Sequence, residues 1–115
     1  MTPIPERIAK LIREGRITFE GEGKKHIYRG ELTLANAQET LEKGFFILEE
    51  QLRKRFPEKS SSFHFSYYFL HKIRNFLQVK YVLLGFYISG DLIRIGHFSQ
   101  CISEVKFYKE LSNSL

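Results

Sequence analysis

The sequence predicts a single α+β domain over residues 1–115, with an antiparallel sheet of two hairpins packed against one long helix and several shorter helices. Three observations lead to this prediction. An apolar stripe at helical spacing runs through the middle of the chain. Runs rich in β-branched and aromatic residues come in pairs around glycine-containing turns, which favours antiparallel hairpins. A chain of 115 residues, 43% of them hydrophobic, is long enough to bury one core.

The first helix is predicted over residues 5–14. Apolar side chains recur there at helical spacing: Ile4, Ile8, Leu11 and Ile12. Gly15 can adopt the left-handed conformation that ends a helix. Two strand-like runs follow, RITFE at 16–20 and HIYRGEL at 26–32. The glycines of the intervening GEGKK permit a tight reversal, so these runs are predicted to form the first hairpin.

The long helix is predicted over residues 34–56. Its apolar stripe advances by three or four residues at each step: Leu34, Ala37, Leu41, Phe45, Leu48, Leu52 and Phe56. Thr33 is a suitable N-cap, and Pro57 marks the end of the helix. Gly44 weakens the middle by about 1 kcal/mol relative to alanine, so a bend is expected at that position.

Two periods compete in the aromatic stretch that follows. The alternation of Phe63, Phe65, Tyr67 and Phe69 is typical of a strand, whereas a second set steps as a helix would: Leu70, Ile73, Phe76 and Leu77. We predict an extended entry followed by a helix over 66–78, with Phe65, Phe69, Leu70 and Ile73 in the core against the long helix.

The last third is predicted to be a second hairpin and a terminal helix. The run KYVLLGFYI at 80–88 is apolar on both faces, so it is expected to be a central strand of a sheet that is covered on both sides, or that is covered and paired with another molecule. A turn at 89–91 returns the chain into LIRIGHF at 92–98. Ser99 is the expected cap of the final helix.

Several chemistries are disfavoured by the sequence. Cys101 is the only cysteine, which excludes an intramolecular disulfide and a multi-cysteine zinc site. His64 and His71 are seven residues apart, which does not suit a metal-binding pair on one helix or on one face of a strand. The GEG at 21–23 lacks the remainder of a phosphate-binding loop. Neither a metal nor a cofactor is therefore expected.

A cytoplasmic protein without a membrane partner is the expected setting. The first residues lack the apolar region of a signal peptide, and no apolar run approaches the roughly 18 to 20 residues that span a bilayer.

The positive charge suggests a polyanionic partner. The formal net charge is +5, and such a balance favours nucleic acid or an acidic protein surface, although it also serves solubility alone. The predicted contact residues lie mainly at the tip of the first hairpin and on the long helix: Lys24, Lys25, His26, Tyr28, Arg29, Arg53 and Arg55. The first functional hypothesis is therefore a small non-catalytic protein that binds one of these partners.

The alternative hypothesis is a small metal-independent ribonuclease. On the predicted second helix, His71 and Arg74 share a face beside Tyr67, so a general base, a phosphate ligand and a hydroxyl would come together. This hypothesis requires His71 to be accessible in a concave site. A third hypothesis gives Cys101 a regulatory role beside His97, against the default of a small buried hydrophobe.

A homodimer is also expected, because aromatic side chains are enriched in interfaces. The aromatic residues that suggest it are Phe45, Phe46, Tyr67 and Tyr68.

Overall fold

The computed structural model of the protein describes residues 2–114. The α+β class is confirmed, and the sheet is mixed rather than wholly antiparallel. Its five strands are β1 (Ile17–Phe19), β2 (Phe45–Leu48), β3 (Tyr67–Arg74), β4 (Val79–Ser89) and β5 (Leu92–Gln100). The helices are α1 (Glu6–Arg13), α2 (Lys25–Tyr28), α3 (Leu34–Lys43), α4 (Glu49–Arg55) and α5 (Val105–Asn113). Short 3₁₀ helices occupy Gly21–Gly23 and Pro57–Ser62.

The sheet has the strand order β1-β5-β4-β3-β2. Strands β2 to β5 form an antiparallel meander, and β1 lies parallel to β5 at the opposite edge. The prediction that residues 80–88 form a central strand paired with 92–98 is confirmed, because β4 is the middle strand and pairs with β5.

Two of the predicted signals at helix termini, Gly15 and Thr33, are also confirmed. Helix α1 ends before Gly15, which has a positive φ of 68°. Thr33 caps α3 in a reciprocal arrangement with Asn36. The backbone N–H of Asn36 donates to Thr33 Oγ1, and the backbone N–H of Thr33 donates to Asn36 Oδ1, each at 3.0 Å.

The first predicted hairpin is wrong. Residues 16–20 contain β1, but the second run contains helix α2 and makes no strand. Gly23 serves a close approach instead of a hairpin turn, because a Cβ there would lie only 2.1 Å from the carbonyl oxygen of Ile95 on β5. The Glu20 amide donates to that same oxygen at 2.8 Å. Since the segment after β1 is held against β5, β1 pairs with β5 in parallel.

The single long helix is also wrong, because the chain is extended at Gly44 and forms β2 between α3 and α4. A Cβ at Gly44 would lie 2.6 Å from the Thr40 carbonyl oxygen and 3.3 Å from that of Leu70. Only glycine therefore fits where the chain turns from the helix into the sheet. The apolar stripe is divided accordingly between two cores: Ala37 and Leu41 on one side of the sheet, Leu52 and Phe56 on the other.

The predicted helix over 66–78 is strand β3, which is hydrogen-bonded to β2 on one side and to β4 on the other. Both faces of β3 are buried, so its apolar residues do not alternate with polar ones. As a result, their spacing resembles that of a helix. The expected core residues Phe69, Leu70 and Ile73 are buried, but Leu70 faces away from the other two.

Helices cover both faces of the sheet. On one face, which we call the α1 face, α1 and α3 pack on Phe69, Leu84 and Phe86. On the opposite face, the α5 face, α4 and α5 pack on Tyr68, Leu70 and Leu83.

Substitution Gly44→Ala tests this interruption of the helix. We expect it to lower the free energy of unfolding by roughly 1–3 kcal/mol, because the new Cβ collides with backbone oxygen. A continuous helix would instead gain about 1 kcal/mol from the same substitution. Urea unfolding followed by circular dichroism measures the difference, with exposed Lys43→Ala as the control. A stabilised Gly44→Ala protein would contradict the structure.

Candidate functional site

A cleft of about 620 Å³ opens on the α5 face. It lies between the segment 57–65, which follows α4, and the loop 101–104, which joins β5 to α5. Aromatic and aliphatic side chains form much of its wall, and polar side chains enter from β5 and the loop. Its lining includes Lys59, Phe63, Phe65, Tyr68, His97, Ser99, Cys101 and Glu104.

A β-bulge in β5 directs the polar side chains of that strand into the cleft. Gly85 of β4 pairs with His97, whereas the next residue, Phe86, pairs with Ile95, so Gly96 is an extra residue. Ile95 and Phe98 both face the α1 face although they are three residues apart. The bulge therefore places His97 on the α5 face, together with Ser99 and Cys101.

Phe65 forms one wall of the cleft because two glycines leave room for its ring. A Cβ atom added to Gly96 would lie 2.3 Å from the Phe65 ring, and one added to Gly85 would lie 2.8 Å from it. The ring also stacks on Tyr87, with centroids 6.5 Å apart, and meets Tyr68 edge-on at 6.3 Å. Its position is thus set by backbone on one side and by two rings on the others.

His97 and Ser99 form a hydrogen-bonded pair within the cleft, with 2.9 Å between Nε2 and Oγ. Burial lowers the pKa of His97 below its ordinary value, against an opposing attraction from the Glu104 carboxylate. Among the hydrogen bonds of residues 2–114, none involves His97 Nδ1, so the pair lacks the third member of a Ser–His–acid triad. The expected capping role of Ser99 is wrong, since β5 continues to Gln100.

Glu104 and Lys59 form an ion pair at the base of the loop, 2.7 Å apart. The Glu104 side chain is only 3% exposed and also accepts a hydrogen bond from Ser103 at 2.9 Å. Burial alone would raise the pKa of this carboxyl group, but the hydrogen bonds from Lys59 and Ser103 outweigh it and hold the pKa below its usual value. Glu104 thus stays ionised, and its contact with Lys59 ties the loop to the segment after α4.

The Cys101 thiol is neither acidic nor exposed. Burial raises its pKa to about 12, and the negative charge of Glu104 adds to this effect. A thiolate nucleophile needs the opposite environment, with a lowered pKa and an accessible sulfur. Cys101 therefore has the character of a partly buried small hydrophobe packed against the α5-face core.

The five predicted contact residues near the first turn lie on or beside α2 rather than at a hairpin tip. Lys25 pairs with Glu22 at 3.4 Å, and His26 Nδ1 lies 2.6 Å from a Glu31 carboxylate oxygen. The other three are exposed: Lys24, Tyr28 and Arg29. Tyr28 is 79% exposed, with the Lys24 ammonium 5.9 Å from its ring centroid.

Arg53 and Arg55, the contact residues predicted on the long helix, are both engaged within the protein. Arg53 donates to the Phe63 carbonyl at 2.8 Å and pairs with Glu49 at 3.0 Å. Arg55 makes two hydrogen bonds to Glu110 on α5, at 2.9 and 3.3 Å. These contacts give both side chains a structural role in joining α4 to its neighbours.

The three residues of the ribonuclease hypothesis do not form one site. His71 is only 9% exposed and contacts Glu39 of α3 at 2.7 Å, on the α1 face. Arg74 is an odd number of positions away on β3 and so points to the opposite face. Tyr67 lies four residues before His71, about 13 Å along a strand.

The rings that suggested a homodimer are largely used inside the chain. Phe46 and Tyr68 are buried, and Phe45 packs edge-on against Tyr108 with centroids 5.3 Å apart. Tyr67 stacks on Phe46 at 5.7 Å. The homodimer remains an untested prediction.

A second candidate surface lies at the end of the β3–β4 hairpin, and sequence reasoning missed most of it. Phe76 and Leu77 form the tip of this hairpin and are 99% and 88% exposed. They lie within a turn that is closed by a hydrogen bond of 2.8 Å from the backbone N–H of Asn75 to the carbonyl oxygen of Gln78. We call the tip with its flanking cations the hairpin end: Lys72, Arg74, Phe76, Leu77 and Lys80. The signal available in the sequence was the absence of any aspartate or glutamate from 59 to 90.

The described residues contain no cluster of three or more His, Cys, Asp or Glu side chains arranged to hold a metal ion. Within 2–114, none of the helices is long and apolar enough to cross a membrane.

Comparisons with protein-family models, with curated proteins and with solved structures yield no match to this chain.

The thiol of Cys101 provides the first test of the cleft. At about pH 8 we expect native Cys101 to react with iodoacetamide at least about a hundredfold more slowly than an exposed thiol, because its pKa is raised to about 12. The control is Ser89→Cys in a Cys101→Ser background, since Ser89 is exposed. Mass spectrometry follows the reaction, and equal rates would contradict the buried environment.

The lowered pKa of His97 predicts a pH-dependent stability. The unfolded chain binds a proton near pH 6.5 that the folded protein does not accept, so the free energy of unfolding should fall as the pH drops through about 6.5. Urea unfolding at about pH 7.5 and about pH 5.5 measures this loss. The loss should be smaller in His97→Gln, and an unchanged pH dependence would show that His97 is not its source.

Proposed function

We propose that this protein is a non-catalytic binding protein that engages single-stranded nucleic acid through the hairpin end. The observation that carries the proposal is an exposed aromatic tip flanked by cations, none of which lies within 4.0 Å of a carboxylate among residues 2–114. Single-strand binding requires this combination, because rings stack on unpaired bases and cations follow the phosphate backbone.

The charge at this end of the sheet supports a polyanionic partner. Lys72 and Arg74 project from the same face of β3, and neither lies within 4.0 Å of a carboxylate in the described chain. Lys80 projects from the other face, and its ammonium donates to the backbone carbonyl of Glu31 at 2.9 Å rather than to a carboxylate. Cations on both faces of one hairpin can contact phosphates on both sides of the tip.

The aromatic tip favours a single strand over a duplex. The Phe76 ring is almost fully exposed, so both of its π-faces are open to a base. In a duplex the bases stack on one another, and a ring could reach them only by unstacking a step. On the α5 face, a second aromatic group lies behind the cations: Lys72 is 5.9 Å from the Tyr81 ring, which meets Tyr108 at 5.3 Å.

Helix α2 extends the proposed surface. The Glu31 carbonyl that accepts from Lys80 belongs to the segment just after α2, which begins with Arg29 and follows the exposed Tyr28 at the end of the helix. Lys80 and Arg29 both act on the Glu31 carboxylate, whose pKa is lowered first by the hydrogen bond from His26 and then by these charges. Part of the predicted contact set thus belongs near the hairpin end, whereas Arg53 and Arg55 do not.

Fluorescence anisotropy with labelled single strands and duplexes, in DNA and RNA forms, tests the proposal across a salt series. We expect single strands to bind more tightly and the affinity to fall steeply with salt. Phe76→Ala should weaken single-strand binding on the order of tenfold, because stacking on one base is lost. Arg74→Ala should weaken binding to all sequences and reduce the salt slope by about 1.

Lys54→Ala is the matched control, since Lys54 is exposed on α4 and in no described ion pair. It should leave affinity and slope nearly unchanged. Absence of binding at low salt would overturn the proposal and leave an acidic protein as the partner to seek. Shortened RNA after incubation would contradict the non-catalytic part.

A further inference from the structure

Strand β1 leaves one side of its backbone unpaired at the edge of the sheet. On its other side, the Arg16 carbonyl accepts a hydrogen bond from β5 at 2.9 Å, and the Glu20 N–H donates one to β5 at 2.8 Å. Backbone groups alternate in direction along a strand, so those of Ile17 and Phe19 point away from β5. Among residues 2–114, no turn or loop supplies a partner for the Ile17 carbonyl or for the N–H and carbonyl of Phe19. A second strand can therefore pair with this edge.

The opposite edge of the sheet is less open. The Leu48 N–H of β2 points outward, but it donates to Gln51 Oε1 at 2.8 Å. The Thr2 hydroxyl donates to the same oxygen at 3.0 Å, so the N-terminal segment lies beside this edge. Helix α4 then follows β2 directly. An added strand is therefore expected at β1 rather than at β2.

Residues 16–20, RITFE, are complementary to themselves in the antiparallel direction. If Thr18 faces Thr18 of a second copy, then Arg16 faces Glu20, and Ile17 faces Phe19. Opposite charges and apolar side chains therefore meet across the edge, and both kinds of pair stabilise a sheet. The hydrogen-bonding phase also agrees, because Ile17 and Phe19 are the residues whose backbone groups point outward.

The charged residues at the two ends of β1 can form ion pairs with a second copy. Glu20 pairs with Arg94 and accepts from the Tyr87 hydroxyl at 2.8 Å. The hydrogen bond from Arg94 is the main cause that lowers the pKa of Glu20, so this carboxylate is ionised. Arg16 contacts Asp91 at 3.0 Å, yet its side chain is half-exposed. Antiparallel pairing places Arg16 of one copy beside Glu20 of the other, in a row of charges that alternate in sign.

Apolar surface lies on the α1-face side of the same edge. Ile17 and Phe19 are only partly buried against the core there. A groove of about 170 Å³ lies between them and α3, whose Leu34 is 63% exposed. The Ile17 and Phe19 side chains of a second copy cover part of this surface, which adds apolar burial to the backbone pairing.

We infer that two copies of this chain associate through β1, paired antiparallel about a two-fold axis at Thr18. The Phe19 N–H of each copy donates to the Ile17 carbonyl of the other, and the two five-stranded sheets become one. The Ile17 N–H takes no part, because it donates to the Gly15 carbonyl at 2.9 Å. The aromatic residues from which the sequence suggested a homodimer lie on β2 and β3, away from this interface.

The interface through β1 is remote from the hairpin end. Residues 93–95 of β5 pair with β1 on one side and with 86–88 of β4 on the other. The hairpin end lies at the opposite end of β4, which begins at Val79. The inference therefore does not depend on the nucleic-acid proposal, and either one can fail without the other.

Sedimentation equilibrium at protein concentrations from about 10 μM to about 1 mM tests the inference. We expect the native protein to form dimers within this range. Thr18→Glu and Thr18→Lys each place like charges opposite each other at the axis, so each should raise the dimer dissociation constant about threefold to fivefold. An equimolar mixture of the two variants should associate at least as tightly as the native protein, because opposite charges then meet.

Ser112→Glu and Ser112→Lys are the matched controls, since Ser112 is exposed on α5. Neither control should change the dissociation constant, alone or in a mixture. Circular dichroism shows whether each variant is folded, and the mixture of the two Thr18 variants separates lost charge pairing from lost structure.

Thr18→Cys in a Cys101→Ser background is a second test. Facing residues that exchange no backbone hydrogen bonds lie about 4.5 Å apart at Cα, a distance that a disulfide spans. Oxidation with diamide should therefore cross-link two copies, as seen by non-reducing electrophoresis, whereas Ser112→Cys in the same background should remain largely free of cross-links.

The inference is overturned by any of four results. These are a native protein that stays monomeric at about 1 mM, Thr18 charge variants that associate like the native protein, a mixture that associates no more tightly than the separate variants, and cross-linking of Thr18→Cys no faster than that of Ser112→Cys.

Discussion

Burial of both faces of β4 is the constraint on which the rest of the fold depends. This strand carries Val82, Leu84 and Phe86 toward one face and Leu83 toward the other, all of them buried. A sheet that is apolar on both sides needs cover on both sides. The chain must therefore cross from one side of the sheet to the other, and it does so through β2 at the sheet edge, starting at Gly44.

The crossing has a consequence for the candidate site. Because α4 and α5 reach the α5 face only through β2 and the later strands, that layer is formed by short segments joined by the Arg55–Glu110 and Lys59–Glu104 ion pairs. The layer does not close over β5, where the bulge at Gly96 and its small and polar neighbours leave the cleft open. The α1 face, covered by two helices, is filled by the larger of the two buried clusters.

The hairpin end and the cleft differ in how their charges are arranged. Cations of the hairpin end lie in a stretch of 32 residues, from 59 to 90, that contains no acidic side chain. Charges of the cleft occur as close pairs that cancel. A long-range field suits a polyanion, which is attracted from a distance and contacts the surface loosely.

Local features were predictable from the sequence, and long-range ones were not. The α+β class, helix α1, the Thr33 cap, the β4–β5 hairpin and the central place of β4 all follow from patterns within about ten to twenty residues. The apolar stripe over 34–56 led to the wrong prediction of one continuous helix. Its first half packs in the core on one face of the sheet and its second half in the core on the other, yet the helical spacing of the apolar residues continues across Gly44. Strand β3 was wrongly predicted as a helix for a related reason. Because both of its faces are buried, it lacks the alternation of apolar and polar residues that identifies a strand. Whether a polar side chain points into a cleft, as His97 does, depends on a bulge against β4, and only pairing between distant segments decides that.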